Sequence, residues 1–273
     1  MSESQTPYDY NWELEDHGYL QALPEAPMTT DAWQVFSRPS EVDASWHNNE
    51  NQGQIGSCQG NGLSSVLERL AFVQGKTVQL SRIFAYLATQ KIDGLLGADN
   101  GSTIAGGCKL AVEFGCPLEA TTGYPSRYPN STERTQILSQ ANYGAGAPYK
   151  AKSAWQVPKD HNQLLDFIGG GGGITFGVRW YNGLIPQDRI VRSFRPARCS
   201  GGHAMCVLGY DTDGNLRAYN SWGDGLYTIT PEAWVQMLSD SSTAAIGLMG
   251  NVNAEPIDWY RNSPYFKLRM KPE

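Results

Sequence analysis

The pattern of apolar residues changes near Tyr124, and this change limits the chain to folds that join a helical part to a strand-rich part. In the first part, apolar residues recur at the spacing of a helix buried along one face, at Leu63, Val66, Leu67, Leu70 and Ala71. This spacing predicts a helix that begins near Cys58. Further helices are predicted for SRIFAYLATQ, with Ser81 as its cap, and for STIAGGCKLAVEFG, which Gly115 and Pro117 end.

Beyond residue 145 the segments are short, rich in β-branched and aromatic residues, and separated by glycine and proline. ITFGVRWY is typical of a strand, and HAMCVLGYD and LRAYNSW are typical of a hairpin with Asp213 and Gly214 in its turn. Thr230 and Pro231 fit the start of a short helix, PEAWVQML, and STAAIGLMG resembles a buried strand. We therefore predict the α+β class, with a helical lobe over about residues 50–125, a β-rich lobe over about residues 130–230 and a crevice between them.

Acidic residues are concentrated at the N-terminus. Residues 1–50 hold ten Asp and Glu side chains and one basic residue, Arg38, in a chain with a formal net charge of −6. The prolines and the lack of a long periodic pattern predict an extended acidic arm over residues 1–40. We interpret it as a solvated arm in preference to an inhibitory or docking extension. The C-terminal tail, residues 251–273, is the other segment that could contact a docking partner.

Composition argues against two classes of partner. The chain has no basic run and no alternation of basic and aromatic residues, so nucleic acid is not an expected partner. It also lacks an apolar run of about 18 residues and the basic, then apolar, start of a secretory signal. We therefore expect a soluble protein, cytoplasmic or associated with a virion, without a membrane partner.

The five cysteines do not follow the spacing of a zinc site or of a dense disulfide framework. Their positions are Cys58, Cys108, Cys116, Cys199 and Cys206, far apart and without a CxxC pair. This usage fits a reducing compartment. Because the number is odd, at least one thiol is free of intramolecular pairing.

Cys58 is the first candidate for chemistry. At the start of the predicted helix, unpaired backbone N–H groups and the helix dipole favour a thiolate. A cysteine in this place is often only structural, so a catalytic role requires a nearby base. His203 is the candidate base, because GGHAMCVLGYD puts its imidazole at the start of an otherwise apolar strand. The remaining histidines, His17, His47 and His161, are expected to be solvated.

Asn220 ends the partner strand of the predicted hairpin. If the turn is centred on Asp213 and Gly214, residue 220 lies opposite residue 207, and Asn220 and His203 point to the same face. They are nevertheless four residues apart in this ideal register. A contact between them therefore requires a bulge or a bend, and the histidine could otherwise be a hydrogen-bonded core residue.

Three blocks in order, NQGQIGSC before a helix, GGHAMCVLGYD and YNSWG, resemble the signature blocks of the papain-like (C1) cysteine peptidases. The resemblance runs from about Val42 to Ile229. LSRIFAY and DNGSTIAGGCKLAVEFG are similar to the bacterial and phage-type branch of that family. The resemblance implies a two-lobed fold, with a helical lobe, an antiparallel β-rich lobe and an active-site cleft between them.

The resemblance also implies a role for each matching residue. Cys58 would be the nucleophile, His203 its general base and later acid, and Asn220 the residue that orients the imidazole. Gln52 would donate a side-chain N–H to the oxyanion hole. Trp222 and Gly202 would contact the substrate. The implied activity is that of an endopeptidase acting on polypeptides, with no metal or organic cofactor.

The sequence departs from the family pattern close to Cys58. The usual cysteine three positions earlier is Ile55, so the disulfide common at that point is absent, and the aromatic residue that usually follows is Gln59. Gly60 and Gly62 lie in the first helical turn, which predicts a loosely held nucleophile. The acidic arm could occupy the cleft in reverse, as prosegments of the family do, but we do not expect it to inhibit fully. The run of five glycines, residues 169–173, is interpreted as a loop between a helix and a strand.

These departures keep other functions open. One alternative is a catalytically weak or inactive papain-fold protein that serves as a structural or assembly component, for example of a virus particle. A cell-wall amidase or transferase with a related Cys-His pair is a further alternative, which does not account for NSWG. The complete set of Gln52, Cys58, His203 and Asn220 favours the peptidase.

Overall fold

A computed structural model of the chain describes residues 10, 14–26, 38–196, 199 and 201–250. Within these ranges there are eight α-helices and seven strands. The helices are α1 (His17–Ala22), α2 (Cys58–Val73), α3 (Arg82–Asp93), α4 (Ile104–Glu113), α5 (Ser131–Ile137), α6 (Gln140–Gly146), α7 (His161–Gly169) and α8 (Pro231–Ser239). The strands are β1 (Ser153–Gln156), β2 (Gly173–Trp180), β3 (Ile190–Val191), β4 (Gly201–Tyr210), β5 (Leu216–Tyr219), β6 (Leu226–Ile229) and β7 (Ala244–Met249).

The predicted helices are present, with caps formed by side chains next to them in the sequence. Ser81 accepts a hydrogen bond from the N–H of Phe84 at the start of α3, and Thr230 caps α8 before Pro231. Helix α4 begins later than predicted, at Ile104, because the hydroxyl of Thr103 is its cap. The sequence therefore predicted these helices correctly, to within three residues at their ends.

The strands form one sheet in the order β1-β7-β2-β4-β5-β6-β3, antiparallel except where β3 pairs with β6. Helix α2 packs on one face of β2 and β4, with Leu63 and Leu67 in the same buried cluster as Cys206. On the other face, Trp234 of α8 meets Phe176 edge to face, with ring centroids 5.0 Å apart. The predicted α+β class is therefore confirmed.

The N-terminal arm differs from the extended conformation that its composition predicted, where it is described. Residues 17–22 form helix α1, because the carboxylate of Asp16 accepts the N–H of Tyr19 and Leu20 is buried. The side-chain amide of Gln156 donates to the carbonyl of Leu23 at 2.6 Å, which joins this part of the arm to β1. The predicted C-terminal tail, residues 251–273, lies outside the described residues.

His47 is buried, which contradicts the solvated position that the sequence predicted. Its Nε2 lies 3.5 Å from Oε2 of Glu68, and its ring packs on Tyr219 with centroids 4.5 Å apart. Burial lowers the pKa of His47 to about 4. The local sequence around His47 is polar, so only its contacts with distant residues could have revealed this position.

Arg69 joins α2 to the strand-rich part of the molecule. Its buried guanidinium donates from Nε to the carbonyl of Gly172 at 2.6 Å and from Nη2 to the carbonyl of Ile168 at 2.7 Å. Burial lowers the pKa of Arg69 to about 10, so the group is still charged at neutral pH. The run of five glycines connects α7 to β2, as the sequence predicted, and Gly172 in this run accepts the bond from Nε of Arg69.

Gly60 and Gly62 allow close packing, whereas the sequence suggested that they loosen the first turn of α2. A Cβ on Gly60 would lie 2.7 Å from the backbone nitrogen of Tyr86 and 2.8 Å from the backbone oxygen of Arg82. A Cβ on Gly62 would lie 3.1 Å from the backbone oxygen of Met205. Both neighbours are backbone, which cannot rotate away. The glycines therefore let α3 and β4 approach the helix that carries Cys58.

We expect Gly60→Ala to lower the free energy of unfolding by about 1–3 kcal/mol, the usual effect of forcing atoms into a packed contact. Gly144→Ala is the matched control, because a Cβ at Gly144 in α6 meets nothing within 4 Å. The control should be neutral or slightly stabilising, since alanine is the better helix former. Urea unfolding of both variants measures the difference. Equal stabilities would show that the first turn of α2 is not tightly packed.

Candidate active site

The loop before Cys58 is fixed at both ends by long-range hydrogen bonds. The N–H of Gly56 donates to the carboxylate of Asp99 at 3.0 Å. The hydroxyl of Tyr124 donates to the carbonyl of Gln52 at 3.0 Å and shares a 2.6 Å bond with the hydroxyl of Ser57. Sequence reasoning gave neither Asp99 nor Tyr124 a role, although Asp99 is the first residue of the block DNGSTIAGGCKLAVEFG. The first residue of α2 is thus held in one position.

Cys58 is the first residue of α2 and is 0% exposed. Its sulfur lies where the backbone N–H groups of the first turn and the helix dipole favour a negative charge. Ser57, the residue before it, makes no side-chain cap that would use these N–H groups. The helix therefore begins at Cys58, as the sequence predicted.

His203 and Asn220 are in direct contact. Nε2 of His203 lies 2.7 Å from Oδ1 of Asn220, and both side chains are buried. Because an amide oxygen can only accept, Nε2 carries the proton when Asn220 is oriented in this way. In the neutral imidazole, Nδ1 then has the free lone pair, and it has no hydrogen-bond partner within the described part of the chain. The imidazole is therefore oriented as a base.

This contact depends on an irregularity in the hairpin that carries both residues. Tyr210 pairs with Leu216 and Gly209 with Arg217, but the register shifts between Val207 and Gly209, so that Cys206 pairs with Tyr219. The shift brings the end of β5 closer to His203 than the ideal register would. The bulge that the sequence required for the contact is present.

Two tryptophans enclose the imidazole of His203. The ring of Trp222 lies 4.5 Å from it, centroid to centroid, and the ring of Trp180 lies 5.1 Å from it, edge to face. Desolvation lowers the pKa of His203 to about 4, against a smaller opposite effect of the bond that its Nε2 donates to Asn220. Trp222 was predicted to contact the substrate, whereas Trp180 was missed although it lies in the predicted strand ITFGVRWY. In this arrangement the imidazole is neutral at pH 7.

Gln52 is buried and bonded to the residue after Asn220. Its backbone N–H donates to the carbonyl of Ser221 at 2.7 Å, and its Oε1 accepts from the hydroxyl of Ser221 at 2.5 Å. Its Nε2 donates to the carbonyl of Ile55 at 2.9 Å, which uses one of two amide protons. Ser221 was missed in the sequence although it lies inside the block NSWG. The amide is therefore fixed, and it keeps one N–H for another acceptor.

His203 is in direct contact with Asn220 and Trp222, and Gly202 precedes it in β4. Gln52 is joined to this group through Ser221, the residue after Asn220. None of the five cysteines forms a disulfide bond. The described residues contain no group of three or more His, Cys, Asp or Glu side chains arranged to hold a metal ion. No helix in the described ranges is both long and apolar enough to span a membrane.

Comparisons with known proteins identify the fold. No family model and no curated protein matches the chain at the level of sequence. Solved structures do match. Xylellain, a cysteine protease from Xylella fastidiosa, superposes with a TM-score of 0.68 at 22% identity, over 85% of this chain and 92% of that one.

Two further structures agree with this match. The cysteine protease CMS1MS2 from Carica candamarcensis gives a TM-score of 0.58 at 19% identity, over 78% of this chain and 99% of that one. Digestive procathepsin L 3 from the larval midgut of Tenebrio molitor gives a TM-score of 0.60 at 15% identity, over 86% of this chain and 77% of that one. The chain therefore has the papain-like fold of cysteine proteases, as the sequence blocks predicted.

Proposed function

We propose that the chain is a cysteine-type endopeptidase, with Cys58 as nucleophile, His203 as general base and acid, Asn220 as the orienting residue and Gln52 as an oxyanion donor. The observation that carries this proposal is the 2.7 Å contact between Nε2 of His203 and Oδ1 of Asn220. It leaves Nδ1 as the atom that can take a proton from a thiol. The fold shared with named cysteine proteases supports the same activity.

The proposed reaction has two stages. The sulfur of Cys58 attacks the peptide carbonyl while Nδ1 of His203 takes the thiol proton, and the imidazolium then gives that proton to the departing amine, which leaves an acyl group on sulfur. The imidazole then takes a proton from water, whose oxygen displaces the thiol and releases the carboxylic acid. The free N–H of Gln52 and the backbone N–H of Cys58 would stabilise the oxyanion in both stages.

Alkylation at neutral pH tests the activated thiol. We expect iodoacetamide to react with Cys58 at least about tenfold faster in the parent chain than in His203→Ala, because the free Nδ1 of His203 can take the thiol proton as the sulfur attacks. Cys199, which is exposed, is the internal comparison and should react at the same rate in both chains. Peptide mapping after quenched labelling gives both rates in one sample. An equal rate at Cys58 in the two folded chains would overturn the proposal.

A second candidate is a papain-fold assembly component without activity. One observation favours it: Cys58 and His203 are both 0% exposed, so neither is open to a polypeptide in this arrangement. The departures from the family pattern at Gln59 and Gly60 do not favour this second candidate, because both residues have a packing role. The side chain of Gln59 accepts a bond from the hydroxyl of Ser102 at 2.9 Å, so it has a packing role between α2 and the loop before α4.

A further inference from the structure

The orientation of the Asn220 amide decides whether His203 can act as a base. Oδ1 of Asn220 faces Nε2 of His203 at 2.7 Å. The two ends of an amide have nearly the same shape, so the group could turn over within the same space. Nδ2 would then donate to Nε2, and the proton of the neutral imidazole would move to Nδ1. No lone pair would remain on Nδ1 for the thiol of Cys58.

The far end of this amide lies beside a carboxylate. Nδ2 of Asn220 makes no hydrogen bond of ordinary geometry within the described part of the chain, although the residue is only 2% exposed. A buried donor of this kind is costly unless it finds an acceptor. Burial raises the pKa of Asp224, and the charge of Arg189 and a contact with the side chain of Asn220 both oppose this rise. The carboxylate of Asp224 is therefore the acceptor next to Nδ2.

A tight turn between β5 and β6 brings Asp224 back toward Asn220, four residues earlier in the chain. Gly223 and Gly225, on either side of Asp224, have φ angles of 69° and 79°, which residues with a side chain rarely adopt. The N–H of Gly223 donates to the carbonyl of Glu50 at 2.8 Å, close to Gln52 in the sequence. The turn is therefore anchored on the opposite wall of the cleft.

Arg189 holds the same turn from outside. Its Nη1 lies 3.7 Å from Oδ2 of Asp224, and its Nε and Nη2 donate to the carbonyls of Leu226 and Gly225, each at 2.8 Å. Among the described residues, Arg189 is the only one other than glycine with a positive φ, at 61°. Strain of this kind persists only where the surrounding contacts maintain it. The guanidinium therefore fixes both the turn and the carboxylate within it.

We propose that Asp224 is a positioning residue: its carboxylate accepts from Nδ2 of Asn220 and thereby keeps Oδ1 of Asn220 directed at His203. Arg189 keeps that carboxylate in place. The importance of Asp224 for catalysis rests on the proposed peptidase function, whereas its effect on the tautomer of His203 does not. Asp224 acts only through Asn220 and His203, and it touches neither Cys58 nor a substrate.

The tautomer of His203 tests this role without turnover. Nitrogen NMR of the full chain carrying Cys58→Ala, with isotope-labelled histidines, distinguishes protonated from unprotonated ring nitrogens at pH 7, where His203 is neutral. The spectrum of the same chain with His203→Ala assigns the resonances. We expect the Nε2–H form to predominate. Adding Asp224→Ala should lower the ratio of Nε2–H to Nδ1–H at least about tenfold, the usual effect of losing a hydrogen bond to a charged group.

Asp166→Ala is the matched control. The carboxylate of Asp166 lies 3.2 Å from Arg38 and is 29% exposed, compared with 36% for Asp224, and it is on α7. Its replacement should leave the ratio unchanged. Arg189→Gly is a second variant, because glycine suits the positive φ while the guanidinium is lost. It should lower the ratio as well, and it takes the place of Asp224→Ala if circular dichroism shows that variant to be unfolded.

Kinetics gives an independent measurement in chains that keep Cys58. Asp224→Ala should lower kcat at least about tenfold with KM within about twofold, because fewer molecules hold the competent tautomer. Asp166→Ala should change neither constant.

Three NMR results would overturn the role of Asp224: an unchanged ratio in Asp224→Ala, an equal fall in Asp166→Ala, or a predominant Nδ1–H form while Asp224 is present. None of them depends on turnover, since Cys58 is alanine in these chains. Equal alkylation of Cys58 in the parent chain and in His203→Ala would instead refute the peptidase and leave the tautomer result intact. The two failures are therefore distinguishable.

Discussion

Replacing Cys58 by alanine is expected to lower peptide hydrolysis by at least about 10⁴-fold, which places it at the background of most assays. The sulfur is the only atom that forms the proposed acyl intermediate, and water activated by His203 alone would lack that route. Release of fluorescent peptides from a labelled unfolded protein measures the rate. The comparison is made both in the wild-type chain and in Tyr10→Ala, because Tyr10 is buried in the same cluster as Cys58.

Cys199→Ala is the matched control for this prediction. Cys199 is exposed, and its thiol donates to the carbonyl of Gly201 at 2.8 Å. This bond is separate from the one between His203 and Asn220. Its replacement should leave the rate within about twofold of the parent chain. Hydrolysis by Cys58→Ala at the parent rate would refute the proposed nucleophile and favour the assembly component.

Gln52→Ala is expected to reduce kcat by about 10²- to 10³-fold, the usual loss for one oxyanion donor, with a much smaller change in KM. The donor acts on charge that develops only in the transition state, so substrate binding should be little affected. The effect depends on the fixed orientation of the amide. Its Oε1 accepts from the hydroxyl of Ser221 at 2.5 Å, and its Nε2 donates to the carbonyl of Ile55 at 2.9 Å. Steady-state kinetics separates the two constants.

Gln52→Glu is a sharper version of the same test. Its shape is nearly that of glutamine, but an ionised carboxylate has no N–H to donate and adds a negative charge near the oxyanion. It should therefore be at least as inactive as Gln52→Ala at neutral pH. Near-normal kcat in both variants, with unchanged melting temperatures, would remove Gln52 from the mechanism.

Features that depend on neighbouring residues could be predicted from the sequence. Ser81 and Thr230 cap their helices as expected, because a cap needs only a side chain three residues before the N–H that it accepts. The order of the blocks around Cys58, His203 and Asn220 predicted the fold for a similar reason, since each block is short. The roles of these residues stay predictions until the variants are measured.

Features that depend on distant contacts could not be predicted. The ideal hairpin separated His203 from Asn220, because a one-residue irregularity between Val207 and Gly209 leaves no mark in the alternation of apolar residues. His47 was placed in solvent because its neighbours in the chain are polar, although Glu68 and Tyr219 bury it. The position of Tyr10 likewise depends on a residue far away in the sequence, because a Cβ on Gly177 would lie 2.6 Å from its ring.

Arg69 fixes the helix that carries Cys58 to the sheet that carries His203. Helix α2 begins with Cys58 in one wall of the cleft, and Arg69 on the same helix is bonded to Gly172 and Ile168 of the other part. Strand β2, which follows Gly172, pairs directly with β4, the strand of His203. Separating α2 from the sheet would therefore break buried hydrogen bonds of a charged group. We expect the distance between the proposed nucleophile and the proposed base to be preserved when a substrate binds.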